Sequence, residues 1–361
     1  MSIILYIVLA ILVLMLMIMI HELGHYLAGK LLKFKIEEFS IGFGKALFSK
    51  KMKSGEIFSV RLVPLGGYCA FKGEDEDGNE EPDCFNSYPC WKRIIVLICG
   101  ALFNFISAII FSMILLMSVG SGICKVADIV STNGNEDVIQ KGDIILEVDG
   151  ETPTFINGGI VNLMKDKKAD EEIILTIKRD GEIKEVTVKK YEKFKTDDNG
   201  NFIDKDGNII ENDDDKVLEG TIIGINTEYV KYSFGEALVN CVPYTFNMAW
   251  ECLCIIGDLF TGKVGIESIG GPITTVQTIA VSTQANFKNL LLLFPLIAVN
   301  LAVFNLLPVP ALDGARVLFV AIEWIFKKPV PRKIEGRIHS IGLILLFTLV
   351  IVVDILHLVL F

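Results

Sequence analysis

The chain has 361 residues, of which 52% are hydrophobic, and its formal net charge at pH 7 is -10. The apolar residues come in long blocks that lack the period of an amphipathic helix or strand, and this pattern is typical of membrane proteins. The excess of acidic residues gives no support to nucleic-acid binding. The eight cysteines are spread along the chain and do not predict a disulfide framework.

The first apolar block runs from Ile3 to Ile20 without a charged residue. As a helix it would span about 27 Å, which is close to the thickness of the hydrocarbon core of a bilayer. A cleavable signal peptide is the alternative, but no basic residue precedes the block and no small-residue cleavage site follows it. Three further blocks, at about 94–119, 290–307 and 338–361, bring the expected number of transmembrane helices to about four.

Basic residues are concentrated in two of the gaps between these blocks. By the positive-inside rule both gaps face the cytoplasm. The region of about 120–285 must then lie outside, where acidic residues outnumber basic ones by 29 to 16.

The segments between the spans have different patterns. Residues 33–90 combine glycines with alternating β-formers, which predicts β-hairpins. Residues 120–232 are typical of a small α/β domain, with strands near 143–148, 172–179 and 183–189 and a helix near 158–165. The Asp- and Asn-rich segment 196–216 predicts turns, because its residues do not fit a calcium-binding EF-hand loop.

The segment 234–260 is apolar enough to suggest a fifth span. However, Glu236, Glu251 and Asp258 interrupt it, and a fifth crossing would place the basic residues near Arg332 outside. We therefore predict an amphipathic helix that lies against the membrane.

The end of the first span carries the strongest chemical signal. His21 and His25 are four residues apart, so on a helix they present two imidazoles from one face to one metal ion, and Glu22 beside them is the candidate general base. Ionisable groups in an apolar helix cost several kcal/mol unless they are paired or bound to metal. This position favours a metal site over a chance match.

A catalytic zinc usually has three protein ligands, and the best candidate for the third is Asp313. It follows Pro308 and Pro310, which must break the third span, and such a break is tolerated at membrane depth only beside protein or a water-filled cavity. On the expected topology, His25 and Asp313 both lie toward the cytoplasmic side.

Two alternatives bear on this choice. Asp313 could be an ordinary cap for the helix that begins near Arg316. His339 and His357, both in the last span, are interpreted as interface residues and not as ligands.

At these residues the chain resembles the site-2 protease family of intramembrane zinc metalloproteases, of the bacterial RseP type in peptidase family M50. The resemblance implies that His21, His25 and Asp313 bind Zn2+. It also implies that Glu22 is the general base and that Asn305 positions the substrate or stabilises the oxyanion. The similar segments are 21–25, 41–44, 64–68, 100–104, 270–273 and 305–314.

The resemblance further implies one PDZ-like external domain, with 141–150 as its most recognisable strand, and a membrane-associated β-region whose edge pairs with substrate. The chain departs from the usual family residues at Ala101 and at Ala315 and Arg316. The segment 126–141 is also shorter than in usual PDZ sequences.

The implied function is regulated intramembrane proteolysis in a bacterial cytoplasmic membrane, with the active site toward the cytoplasm. The expected substrates are single-pass membrane proteins such as anti-sigma factors, and the PDZ-like domain could bind a peptide. Clearance of signal-peptide remnants or maturation of peptide signals is the alternative. A non-catalytic PDZ scaffold is disfavoured, because His21, Glu22, His25 and Asp313 are all present.

The expected fold is a multi-pass α-helical membrane protein with about four transmembrane helices, a β-hairpin region and one PDZ-like α/β domain. The expected segments are the first transmembrane helix (1–32), the β-region (33–90), the second transmembrane helix (91–119), the PDZ-like domain (120–232), an amphipathic or linker segment (233–285), the third transmembrane helix (286–326), and a cytoplasmic loop with the fourth helix (327–361).

Overall fold

The computed structural model describes residues 3–74, 81–130, 135, 137–155, 157–195, 209, 218–263, 265 and 270–360. The chain divides into two compact units, Met1–Ile114 with Leu238–Phe361, and Leu115–Ala237. The predicted turn segment 196–216 lies, apart from residue 209, outside the described residues.

Long helices dominate the first unit. Within the described ranges, four helices are long and apolar enough to cross a membrane, and they span Ile3–Leu31, Cys90–Ser118, Asn289–Leu306 and Lys333–His357. They correspond to the four apolar blocks of the sequence. The helices are α1 (Ile3–Leu31), α2 (Cys90–Ser118), α3 (Gly159–Leu163), α4 (Phe234–Thr261), α5 (Pro272–Ala285), α6 (Asn289–Leu306), α7 (Asp313–Phe326) and α8 (Arg332–Leu360).

The segment that suggested a fifth span forms α4, and α4 is not among these four helices. Its position against the membrane stays a prediction. The segment 270–285, predicted only as a linker, contains the helix α5, which begins at Pro272 directly after Gly271. Proline is favoured in the first turn of a helix because its missing N–H would have no partner there.

The predicted break in the third span is present. Helix α6 ends at Leu306 and α7 begins at Asp313. Pro308 and Pro310 lie between them. A proline has no N–H for a helical hydrogen bond, and its ring would clash with the carbonyl group one helical turn earlier. Asp313 is therefore the first residue of a new helix, and its carboxylate projects from a helix start.

The predicted β-region forms one hairpin of strands β1 (Ile36–Lys51) and β2 (Ile57–Phe71). Each strand bends, and glycines with positive φ stand at the bends: Gly42 and Gly44 in β1 and Gly66 in β2. Because the strands bend, the hairpin contains four segments that pair side by side, and the segment 67–71 forms one edge of this small sheet. The paired segments are 46–51 with 57–61, 38–41 with 57–60, and 36–41 with 67–71.

The loop between β1 and β2 is tied to the end of α1 through Glu56. The buried Glu56 carboxylate accepts hydrogen bonds from Tyr26 at 3.0 Å and Ser54 at 2.8 Å, and Lys30 pairs with it at 2.7 Å. Burial acts to raise the pKa of Glu56, but the hydrogen bonds from Lys30, Ser54 and Tyr26 outweigh it and lower the pKa to about 2. The hairpin is thus held beside α1 by contacts to a buried carboxylate.

A cluster of buried apolar side chains packs α1, the hairpin, α2 and α7 together. These are the elements that carry the candidate site. The cluster consists of Ala28, Phe34, Ile36, Phe71, Phe85, Val96, Leu97 and Val320.

The second unit has a core of its own. Its strands are β3 (Cys124–Ile129), β4 (Ile144–Val148), β5 (Glu172–Arg179), β6 (Glu182–Lys189), β7 (Tyr191–Phe194), β8 (Leu218–Ile222) and β9 (Ile225–Tyr229). The main sheet has five antiparallel strands in the order β6-β5-β4-β3-β9, and β7 pairs with β8. Strands β4, β5 and β6 and helix α3 lie where the sequence predicted them, whereas β3 and β9 were not predicted.

Candidate metal centre

Helix α1 presents both histidines of the HExxH sequence to the protein interior. His21 is 8% exposed and His25 is 7% exposed, although they lie in a helix whose other faces carry exposed apolar side chains. Their four-residue spacing puts the two rings on one face, with ring centroids 4.8 Å apart. The predicted helix and the predicted shared face are both present.

The structure brings Asp313 to these histidines, although it is 292 residues from His21 in sequence. Asp313 Oδ2 lies 3.0 Å from His21 Nε2 and 3.2 Å from His25 Nε2. The two Nε2 atoms are 3.1 Å apart. Three potential metal ligands therefore converge on one point.

The spacing of these atoms fits zinc. Zinc bonds of about 2.0–2.1 Å in a tetrahedral arrangement place neighbouring ligand atoms about 3.3 Å apart. Two imidazole nitrogens and one carboxylate oxygen form a common set of protein ligands for a catalytic zinc, and such a set leaves a fourth position open. The donor set and its dimensions could therefore hold a zinc ion.

The other ring nitrogen of each histidine has its own partner on α2. His25 Nδ1 donates to the carbonyl oxygen of Val96 at 2.9 Å, which leaves Nε2 available as a ligand. His21 Nδ1 lies 3.3 Å from the side-chain amide of Asn104. Sequence reasoning missed both partners, because neither a backbone carbonyl nor an asparagine in a distant helix gives a signal of its own.

Two glycines allow α1 and α2 to approach at the site. A Cβ atom on Gly24 would overlap the carbonyl oxygen of Cys99, and one on Gly100 would overlap the rings of His25 and His21. Larger residues at these positions would push α2 away from the histidines.

Glu22 faces the hairpin. Its carboxylate lies close to the backbone of Cys69, and it is near enough to His21, His25 and Asp313 to interact electrostatically with each. A Cβ atom on Gly67 would lie 3.4 Å from Glu22 Cγ. The edge segment 67–71 therefore runs directly past the candidate general base.

Asn305 is placed differently from these residues. It lies in the last turn of α6, and its side-chain amide donates to the Leu301 carbonyl oxygen at 2.9 Å. The structure gives it no hydrogen bond to His21, His25 or Asp313 among the described contacts. Its role in the reaction stays a prediction.

A cavity of about 510 Å³ adjoins the site on the side of α7 and α8. Asp313 lines it together with polar residues of several elements, including Glu74, Arg316 and Ser340. Apolar side chains, including Phe85 and Leu97, complete its lining, and a cavity of this size has room for several water molecules beside the polar groups.

Known proteins are similar to this chain over nearly its whole length. The sequence profile of peptidase family M50 matches residues 9–349. The chain belongs to peptidase family M50. A protein of Fusobacterium nucleatum is 30% identical over 93% of each chain, and one of Clostridium acetobutylicum is 31% identical over 97% of this chain and 96% of its own. A Clostridium perfringens protein is 29% identical over 97% of this chain and 98% of its own.

All three relatives carry the name "Putative zinc metalloprotease". The matched range contains all the candidate site residues of this M50 peptidase. Zinc is the metal of the family, which confirms the predicted cofactor, and the four apolar helices make this member an integral membrane protein.

Proposed function

We propose that this M50 peptidase cleaves peptide bonds within the membrane, with zinc held by His21, His25 and Asp313 and with Glu22 as general base. The observation that carries the proposal is the meeting of three ligand atoms, 3.0–3.2 Å apart, at the ends of apolar helices. Buried ionisable groups at such positions are costly unless a metal or a partner compensates them.

Zinc bound there supplies a Lewis acid that polarises a peptide carbonyl and a water molecule. Glu22 then accepts a proton from the attacking water and passes it to the leaving amine. The Glu22 side chain lies beside Gly67, on the hairpin side of the site. The cavity beside Asp313, which Glu74, Arg316 and Ser340 also line, would hold the water that a bond buried in lipid otherwise lacks.

Asn305 is proposed to position the substrate or to stabilise the oxyanion. Its amide donates to the Leu301 carbonyl oxygen in this structure. For the proposed role, the amide must release this oxygen and donate to an oxygen of the substrate instead. The exchange is a side-chain rotation and needs no change in α6.

The proposed substrates are transmembrane segments of single-pass proteins such as anti-sigma factors. A transmembrane helix must unwind before its peptide bonds can be cut, and the unwound backbone then needs new hydrogen-bond partners. The edge segment 67–71, which passes Glu22, supports pairing with such a strand.

The second unit is proposed to be the PDZ-like domain, outside the cytoplasmic membrane of a bacterium. Its five-stranded antiparallel sheet with the short helix α3 supports this proposal. The distribution of basic residues supports an external position for it and a cytoplasmic position for the site. A peptide is its proposed ligand.

The proposal is tested with the full chain purified in detergent, by metal analysis and by cleavage of a transmembrane peptide. We expect Glu22→Gln to retain zinc and to lose activity by about 100-fold or more, because the general base is removed. Asp313→Ala should lose zinc and activity together.

Glu182→Gln, on an exposed strand of the second unit, is the control and should leave both unchanged. Undiminished cleavage by Glu22→Gln would exclude the proposed mechanism. Zinc binding with no cleavage of any transmembrane peptide would instead favour the scaffold alternative.

A further inference from the structure

The loop that precedes Asp313 is held in a strained conformation. Between the end of α6 and the start of α7, Ala311 has a φ of 83°. A residue with a Cβ atom is disfavoured in this left-handed region, because the Cβ atom crowds the following carbonyl oxygen. Such a conformation persists only where surrounding contacts determine it, and it lies two residues before the proposed ligand.

Helix α8 supplies one of these contacts. The backbone N–H of Ala311 donates to Nδ1 of His339 at 3.0 Å. The His339 ring also packs against Phe319 of α7, with ring centroids 5.6 Å apart. One side chain of the last span therefore contacts both the strained loop and the helix that begins with Asp313.

Gly342 supplies a second contact from the same face of α8, three residues after His339. A Cβ atom on Gly342 would overlap Pro310 Cβ and would lie 3.0 Å from the Pro310 carbonyl carbon and oxygen. The absence of a side chain at Gly342 thus creates a notch that receives Pro310. The acceptor at His339 and the notch at Gly342 fix two consecutive residues of the loop.

We propose that His339 and Gly342 are positioning residues for the metal centre, and that α8 holds the 308–312 loop so that Asp313 Oδ2 reaches the two histidines. The inference rests on the proposed role of Asp313 as a zinc ligand. A ligand must be held within about 0.5 Å of its productive position, and the strained loop would relax without external contacts. The last span is then part of the metal centre as well as a membrane anchor.

The first test compares two alanine substitutions in α8 of the full-length protein. Gly342→Ala inserts a methyl group against Pro310, whereas a Cβ atom on Gly336 meets no atom within 4 Å. We expect Gly342→Ala to lower zinc affinity, measured by competition with a chelator, by about 10-fold or more. Gly336→Ala should bind zinc as the wild type does.

The second test separates the hydrogen bond from packing. His339→Leu removes the acceptor, whereas His339→Asn can place an amide oxygen near the position of Nδ1. We expect zinc affinity to fall by about 10-fold in His339→Leu and to recover in His339→Asn. The visible absorption spectrum of the cobalt-substituted protein should change in His339→Leu and return toward the wild-type spectrum in His339→Asn.

The outcomes distinguish this inference from the function on which it rests. A wild-type protein that holds no zinc, or one in which His21→Ala keeps its full zinc affinity, would overturn both. Wild-type protein that binds zinc through His21, with unchanged affinity in Gly342→Ala and His339→Leu, would overturn the inference alone. Equal losses in His339→Leu and His339→Asn would also contradict it, because the acceptor would then have no effect.

Discussion

At the scale of single residues, the histidines need more than their ligand atoms to form a site. A histidine that binds metal through Nε2 carries its remaining proton on Nδ1, and that proton requires an acceptor. For His25 the acceptor is the Val96 carbonyl. For His21 the neighbour is the completely buried Asn104, whose Oδ1 has no hydrogen-bond partner among the described atoms while its Nδ2 faces the ring.

This arrangement predicts the orientation of the Asn104 amide in the zinc-bound protein. The amide should be rotated so that Oδ1 accepts from His21 Nδ1, since an amide can present either atom. Asn104→Leu should therefore lower zinc affinity by about 10- to 100-fold, and Asn104→Asp, which keeps an acceptor, should not. Chelator competition measures both, and equal affinity in Asn104→Leu and the wild type would contradict the assignment.

At the scale of elements, α2 positions the helices that carry the candidate site. Its Gly100 admits the histidine rings, and Val96 fixes one of them. One turn before Val96, the buried Arg93 donates from Nη1 and Nη2 to the Glu323 carboxylate of α7 and from Nε to the Tyr88 carbonyl oxygen. The same short stretch of α2 therefore contacts both helices that carry proposed ligands.

The Arg93–Glu323 pair predicts a stability effect. Arg93→Met should destabilise the protein by about 3–5 kcal/mol, because it leaves the Glu323 carboxylate without its partner in a largely buried position. Arg93→Met combined with Glu323→Met should recover most of this loss, since no unpaired charge then remains. Unfolding of the detergent-solubilised protein, followed by heat or denaturant, measures the difference.

The exposed pair of Lys35 and Asp83 provides the control, because surface ion pairs contribute about 0–1 kcal/mol. Lys35→Met should accordingly leave the unfolding transition almost unchanged. A double variant of Arg93 and Glu323 that is as unstable as Arg93→Met would show that the pair does not clamp α2 to α7.

At the scale of the whole molecule, the proposed zinc connects a helix near the start of the sequence with one much later in it. His21 and Asp313 are 292 residues apart, and both belong to the first unit, whereas the second unit has a separate hydrophobic core. A bound metal stabilises whatever fold brings its ligands together. Zinc binding should therefore stabilise the first unit and not the second.

Removal of zinc with a chelator tests this expectation. At free zinc 1,000-fold above the dissociation constant, binding contributes about 4 kcal/mol, so chelation should lower the melting temperature of the wild type and leave that of His21→Ala unaltered. Amide hydrogen exchange should accelerate in α1 and α7 and stay constant in the five-stranded sheet of the second unit. An equal fall in melting temperature for His21→Ala would argue against metal binding at these residues.

The sequence by itself determined the features that depend on local pattern. Long apolar blocks predicted the four candidate spans, the HExxH spacing predicted two histidines on one helix face, and Pro308 with Pro310 predicted the break before Asp313. Alternation and glycine predicted the hairpin, and three strands of the second unit were predicted close to their positions. In each case the signal lies within a few residues, because helical and strand periodicity and proline act locally.

Only the tertiary structure decided which distant residues complete the site. The partners on α2, the contact of Glu22 with the edge segment 67–71, and the support of the 308–312 loop by His339 and Gly342 all join segments far apart in sequence. A backbone carbonyl, a buried amide or a missing side chain has no sequence pattern of its own. Such a group acquires its role from the atom that it contacts, and only tertiary packing brings that atom within a few ångströms.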